Sequence, residues 1–311
     1  MITGTTFRDI PALQISDDAV RLAVLPAWGG KVAEILDLRR GRQWLAGNPA
    51  LPYALPHYGA SYVRDFDVGG FDECFPTVGA CFYPAGPWAG TPLPDHGEVW
   101  ALPWAARPEG DALHLTVQGI RLPYRLEKTI RLLGEGRIRF DYRATNPTPF
   151  PMPFLWSSHP LFELRPGMGL NLPVGEMRVF SAPSFPARHG DTIPWPGGKG
   201  LALDRVPEPD AGLAIKFFSP PLDEGWAELV DPVDGARFRF EFDPARVTHL
   251  GLWLNYGGWA GIPGAEPYFN LGLEPCIGAP DTLDTAVNHW QEYGLLPPDA
   301  SAKWWLEMLV T

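Results

Sequence analysis

Apolar and polar residues alternate with a period of two along much of the chain, the signature of strands with two unlike faces. Ala112–Gln118, Tyr124–Leu132 and Arg137–Arg143 show it most clearly, and Gly134-Glu135-Gly136 joins the last two as a hairpin. Their polar positions carry Arg and Lys, so one face of this region meets solvent. Glu228–Val230 and Ala236–Phe242 form a second hairpin through Asp234-Gly235. Ala19–Leu25 and Lys31–Leu38 are strands on either side of the turn Pro26–Gly30, and Arg39–Arg42 is the next turn. Val247–Leu254, Tyr268–Glu274 and Lys303–Val310 complete the strand set. A short helix is predicted only from Asp281 to about His289. Asn48 to Tyr58 and Gly167 to Pro209 are rich in Pro and Gly and read as loops. Many short strands separated by turn signals predict a β-sandwich or barrel. No repeat or linker divides the chain, so residues 1–311 are expected to form one large all-β domain.

Composition narrows the function classes. A chain of 311 residues with 45% hydrophobic and 13% aromatic residues can bury a large core without disulfides. The net charge of −11 argues against nucleic acid, whose phosphates need a basic patch, and weakly against a strongly anionic ligand. Cys74, Cys81 and Cys276 are odd in number and widely spaced, so free thiols in a reducing compartment are expected rather than a disulfide framework or a zinc site. The N-terminus lacks a basic region followed by an apolar stretch, and no apolar run reaches ~18 residues, so a cytoplasmic protein with no membrane partner is expected. A monomer and a homodimer are both compatible with the sequence.

The candidate chemistry starts at Glu274. Phe269, Leu271 and Leu273 alternate with Asn270, Gly272 and Glu274, and Pro275 is expected to stop the ladder. A carboxylate at a strand end beside a ligand-admitting Gly suits an active-site base, though a solvated rim acid has the same pattern. His96 precedes Gly97, with Glu98 and Trp100 on its face if the segment is extended. His159 closes an apolar strand before Pro160 and shares a face with Leu155 and Ser157. Either histidine reads equally as a hydrogen-bonded structural residue. Asp72 and Glu73 sit between aromatics in a Gly-flanked segment where acids either bind a polyhydroxylated ligand or face solvent, and Arg64 upstream can pair with them or with a ligand oxygen. Trp100, Trp156, Trp253 and Trp259 lie near these segments and serve either the core or the face of a sugar ring. The remaining histidines have less context. No His-x-His or His-x₃-His spacing points to a metal, and no nucleophile elbow, Walker or dinucleotide motif is present.

Taken in order, these segments resemble the aldose 1-epimerase (galactose mutarotase) family. Pro26–Leu38 is similar to its opening Gly turn and strand, His96-Gly97 to its first histidine motif, and Asn146 through Trp156 to His159-Pro160 to its second. Leu273-Glu274-Pro275 with Pro280-Asp281 is similar to its glutamate strand, and the tail around Trp304 also fits. Gly70–Pro76 resembles a less characterised branch, and the Arg and the additional sugar-binding Asp of the galactose-active branch have no clear counterpart. The resemblance implies a large antiparallel β-sandwich, the galactose mutarotase-like supersandwich, with an open concave sugar-binding cleft. It implies cofactor-free interconversion of α and β anomers of an aldose, with Glu274 as base, His159 as acid at the ring oxygen and His96 holding and polarising the same region. Asp72, Arg64, Glu73, Trp156 and Trp253 are the expected substrate contacts. A hexose-6-phosphate mutarotase, with Arg64 and Arg188 near the phosphate, and a non-catalytic carbohydrate-binding module are the alternatives on this fold. Glycoside hydrolysis or lyase chemistry would draw on Glu98 or Glu73 as a further acid.

Overall fold

The computed structural model describes residues 1–198 and 200–311. Two large antiparallel sheets dominate. One runs Ile2–Phe7, Ile10–Ser16, Val20–Leu25, Lys31–Asp37, Gly70–Cys74, Trp156–Glu163, Phe269–Ile277, His249–Tyr256, Leu213–Phe218, Glu176–Ser181, Thr192–Pro194, with Arg42–Gln43 beside Lys31–Asp37. The other runs Gly169–Asn171, Trp226–Val230, Arg237–Phe242, Ala300–Val310, Arg137–Asn146, Arg125–Gly134, Ala112–Gln118, Ala105–Glu109.

Alternation explains how the second sheet is covered. In Arg137–Asn146, Ile138, Phe140, Tyr142 and Ala144 are buried while Arg139, Asp141 and Arg143 face outward. Phe140 meets Phe71 at 5.7 Å between ring centroids, Phe238 meets Phe162 at 4.9 Å, and Tyr142 meets Trp156 at 4.9 Å. These pairs join the inner faces of the two sheets in one continuous apolar core, and each large side chain so buried contributes about 1.5–3 kcal/mol. The architecture is therefore the expected large antiparallel β-sandwich.

The central strands of the first sheet are buried on both faces. Gly70–Cys74, Trp156–Glu163, His249–Tyr256 and Phe269–Ile277 carry almost no exposed position. Their outer face holds polar side chains beneath a roof of loops, part of which is a second apolar cluster of Trp28, Tyr62, Phe66, Val68 and Trp100.

Several expectations change. The chain opens with two strands, Ile2–Phe7 and Ile10–Ser16; the first is an exposed edge strand with no buried face to impose alternation. Gly167–Pro209 is not all loop, since Glu176–Ser181 and Thr192–Pro194 extend the first sheet and Gly169–Asn171 the second. The Asp72–Glu73 segment is a buried strand, not a solvated turn. The helical segment is one α turn, Leu283–Thr285, leading into a π turn, Ala286–Trp290.

Pro160 and Pro275 do not end their strands. The ladder between Trp156–Glu163 and Phe269–Ile277 is paired at Ser157–Cys276 and again at Leu161–Gly272, and opens between them. Both prolines lie in that gap, where neither can donate a ladder hydrogen bond. The Ser158 hydroxyl donates to the Pro275 carbonyl across it at 2.8 Å. On their other edges the strands stay paired, His159 opposite Asp72 and Glu274 opposite Gly251.

Candidate active site

The opened ladder places His159 and Glu274 side by side. Glu274 Oε2 accepts from Lys216 Nζ at 2.5 Å and from the Ser157 hydroxyl at 3.4 Å. Its Oε1 has no hydrogen-bond partner and stands 3.9 Å from His159 Nε2. One carboxylate oxygen is pinned and the other is free, in a fully buried residue. Two glycines make this possible. A Cβ on Gly272 would fall 2.5 Å from Oε1 and one on Gly251 3.1 Å from Oε2. The space expected to admit a ligand at Gly272 is thus filled by the Glu274 carboxylate itself.

His96 reaches the same place from a turn rather than from the expected extended segment. It adopts left-handed φ of 59°, Gly97 follows at 74°, and a 3₁₀ turn spans Val99–Ala101. A Cβ on Gly97 would meet the Phe75 carbonyl oxygen at 2.4 Å, so this turn requires glycine. The His96 ring stacks on Tyr62 at 3.9 Å and meets the His159 ring edge-on at 4.9 Å. Its Nδ1 is 3.1 Å from Asp95 Oδ1. Glu98 turns elsewhere, accepting from the Tyr58 hydroxyl and the backbone N–H of Ile120 and Arg121.

Neighbouring charge separates the two imidazoles. Burial opposes a positive charge on His96, but Asp95, with Asp67 and Asp281, outweighs it and raises the His96 pKa. Burial, then the positive charges of His96, Lys216 and Lys31, push His159 well below the usual histidine value. Two rings this close disfavour two positive charges, and the neighbouring acids favour a proton on His96 over one on His159. Burial opposes charge on Lys216 too, but Asp281 and Glu274 hold it protonated. Burial raises Asp281 despite Lys216 at 3.6 Å, and lifts Asp67 to about 6.

His96, His159, Lys216, Asp67, Asp95 and Asp281 line a cavity of about 250 Å³ whose aromatic wall is Tyr62, Trp253 and Trp259, with Trp253 and Trp259 edge-to-face at 5.3 Å, and Glu274 lies just behind His159 and Lys216. Among the described residues lining it, Lys216 is the only Lys or Arg, and it is already bound to Glu274. Among the described residues no three His, Cys, Asp or Glu side chains gather as a metal-binding group.

Not every expected contact reaches the cavity. Trp253 does. Asp72 lies beneath it, fully buried, accepting from Lys31 Nζ at 2.5 Å and the Tyr62 hydroxyl at 2.9 Å, so it orients Tyr62 instead of facing the cavity. Glu73, one residue along the strand, points to the opposite side. There it accepts from Lys128 Nζ at 3.1 Å, the Tyr142 hydroxyl at 2.8 Å and Trp156 Nε1 at 2.9 Å, which places both Glu73 and Trp156 in the core between the sheets. Arg64 is 67% exposed at its side chain and pairs with Asp65 at 2.7 Å, away from the cavity, and Arg188 is also exposed. Lys216, Tyr62, Asp67, Asp95 and Asp281 are not among the residues that the sequence pattern marks for a role. Lys216 did leave a signal, a lone cation in the apolar run Leu213–Phe218.

No protein-family model matches the sequence, and no curated protein matches it. Solved structures do match in fold. The Slr1438 protein from Synechocystis sp. PCC 6803 superposes with a TM-score of 0.71 at 20% identity, covering 99% of this chain and 98% of that one. A galactose mutarotase-like protein from Lactobacillus casei gives 0.69 at 16% identity, covering 96% and 100%. Another, from Clostridium acetobutylicum, gives 0.70 at 12% identity, covering 100% and 98%. Across its whole length, the chain has the galactose mutarotase-like β-sandwich fold.

Proposed function

We propose that the protein is a mutarotase of the aldose 1-epimerase type, opening and reclosing the hemiacetal ring of an aldose. The observation that carries this reading is the free Glu274 Oε1 facing His159, with the His96 ring beyond it, directly behind a small aromatic-walled cavity that both histidines line. Mutarotation needs one group to take the proton from the C1 hydroxyl and another to protonate the ring oxygen as the C1–O5 bond breaks. Rotation about C1–C2 and reversal of both transfers give the other anomer. Glu274 is the base. Lys216 and Ser157 fix its orientation by holding Oε2, which leaves Oε1 to approach the C1 hydroxyl. The adjacent imidazoles supply the ring-oxygen proton, His159 from the position nearer Glu274 and His96 as the ring on which a proton is favoured. Each such proton transfer typically contributes about 10²–10⁴-fold. Tyr62, held by Asp72, and Trp253 with Trp259 offer flat faces to the sugar ring. A phosphorylated hexose is a poorer fit, because acids outnumber cations in the cavity wall.

Polarimetry on freshly dissolved α-anomers tests the reading. Glu274→Gln keeps the shape and removes the base, so the rate on the true substrate should fall at least ~100-fold while the protein stays folded. A variant that kept most of the wild-type rate would remove Glu274 from the base role.

A further inference from the structure

A second cavity, of about 380 Å³, lies beyond the first and shares Asp67 with it as a wall. It is bounded by the segment around Asn48 and Leu51 and by the stretch from Ile262 to Asn270. Three observations give it a chemical character. First, an aromatic series joins the cavities: Trp253 meets Trp259 at 5.3 Å in the first, and Trp259 meets Tyr268, which lines the second, at 5.8 Å. Second, Asn270 lines the second cavity, is 9% exposed, and its Oδ1 has no hydrogen-bond partner, an unmet acceptor in a buried side chain. Third, among the described residues its only charged lining residues are Asp67 and Glu266, both acidic, so phosphate, sulfate or carboxylate ligands are disfavoured. The remaining wall mixes apolar side chains such as Leu51, Ile262 and Phe269 with Asn48 and the Tyr268 hydroxyl. A neutral ligand with hydroxyl edges and C–H faces matches that mixture.

Asn270 and Glu274 share one face of the same strand, four residues apart, or about 13 Å at ~3.3 Å per residue. That is longer than one pyranose ring. We propose that the second cavity is a subsite for a second sugar ring, so that the preferred substrate is the reducing end of a disaccharide or longer saccharide. The inference rests on the ring-opening reading for which end lies at Glu274; the subsite itself rests on the second cavity alone.

The test compares glucose and galactose with maltose, cellobiose, lactose and melibiose, by polarimetry for turnover and by calorimetry for binding. At least one disaccharide should show kcat/KM and affinity about tenfold above its reducing-end monosaccharide, equivalent to about 1.4 kcal/mol. Tyr268→Ala and Asn270→Ala should each erase most of that advantage and leave monosaccharide kcat/KM unchanged. The proposal is overturned if no disaccharide binds more tightly than its monosaccharide, or if both variants weaken the two classes alike. If nothing is turned over yet a disaccharide binds more tightly in a Tyr268-dependent way, the subsite stands and the mutarotase reading falls.

Discussion

Asp67 lets a feature of the site be weighed through stability alone. It is buried, and loss of water is the largest influence on its carboxyl, with Asp72 adding repulsion and His96 and Lys31 opposing. The result is a pKa of about 6 in the folded protein against an ordinary 3.8. A carboxyl with a raised folded pKa binds its proton more tightly folded than unfolded, so between these two values stability falls as pH rises. The full cost of the ionised form is about 3 kcal/mol, present above pH ~6 and relieved as pH drops towards ~4. Asp67→Asn keeps the shape and removes the charge. Urea denaturation of both proteins from pH 4 to 8 reads the difference, in which distant groups cancel and His96, which loses the Asp67 charge that helps raise its pKa, adds a smaller change. The Asn variant should be more stable at pH 8 by about 2–3 kcal/mol, with the gap closing by pH ~4. A variant that was less stable at pH 8, or a difference flat with pH, would refute the reasoning. Sugar binding should weaken in the same variant, as expected where a functional group is kept at a cost in stability.

Gly272→Ala places a methyl 2.5 Å from Glu274 Oε1, so the carboxylate must move; mutarotation measured by polarimetry should fall at least ~100-fold, since misplacing a reacting group by about 1 Å costs that much. Glu73→Gln leaves Lys128 charged in the core between the sheets and should cost about 3–5 kcal/mol in urea denaturation, whereas the double change Glu73→Leu with Lys128→Met should recover much of it. Arg64→Ala should alter stability by less than ~0.5 kcal/mol and leave sugar affinity unchanged by calorimetry, because its exposed pair with Asp65 is solvated.

The sandwich was legible because its outer strands, such as Arg137–Asn146, face the core on one side and water on the other, and alternation records that directly. The site strands obey the same period with a different meaning. Glu274, Gly272 and Asn270 do share a face, as the sequence indicates, but the roof of loops makes that face as buried as the other. For the same reason Asp72 and Glu73 look alike in sequence and end in opposite environments, one under Tyr62 and one beside Trp156. His96 is marked in the sequence by its neighbour Gly97, yet the left-handed turn that aims it depends on a contact with Phe75 that no local pattern encodes. Lys216 is hard to see in the sequence because its partners lie 58 and 65 positions away. Pro160 and Pro275 look like stops because a single strand shows only a missing donor; on adjacent strands, within the same unpaired stretch, they leave the gap in which His159 and Glu274 meet.

Lys31, Lys128 and Lys216 each lie buried against a carboxylate, at 2.5, 3.1 and 2.5 Å from Asp72, Glu73 and Glu274. In the folded protein these amines are closed to acylating reagents and to lysine-specific proteases. They sit in different compartments, beneath Tyr62, between the sheets and in the cavity wall. The rate at which each becomes reactive therefore reports a different opening event. Lys216 follows breathing of the cavity, and Lys128 follows separation of the two sheets.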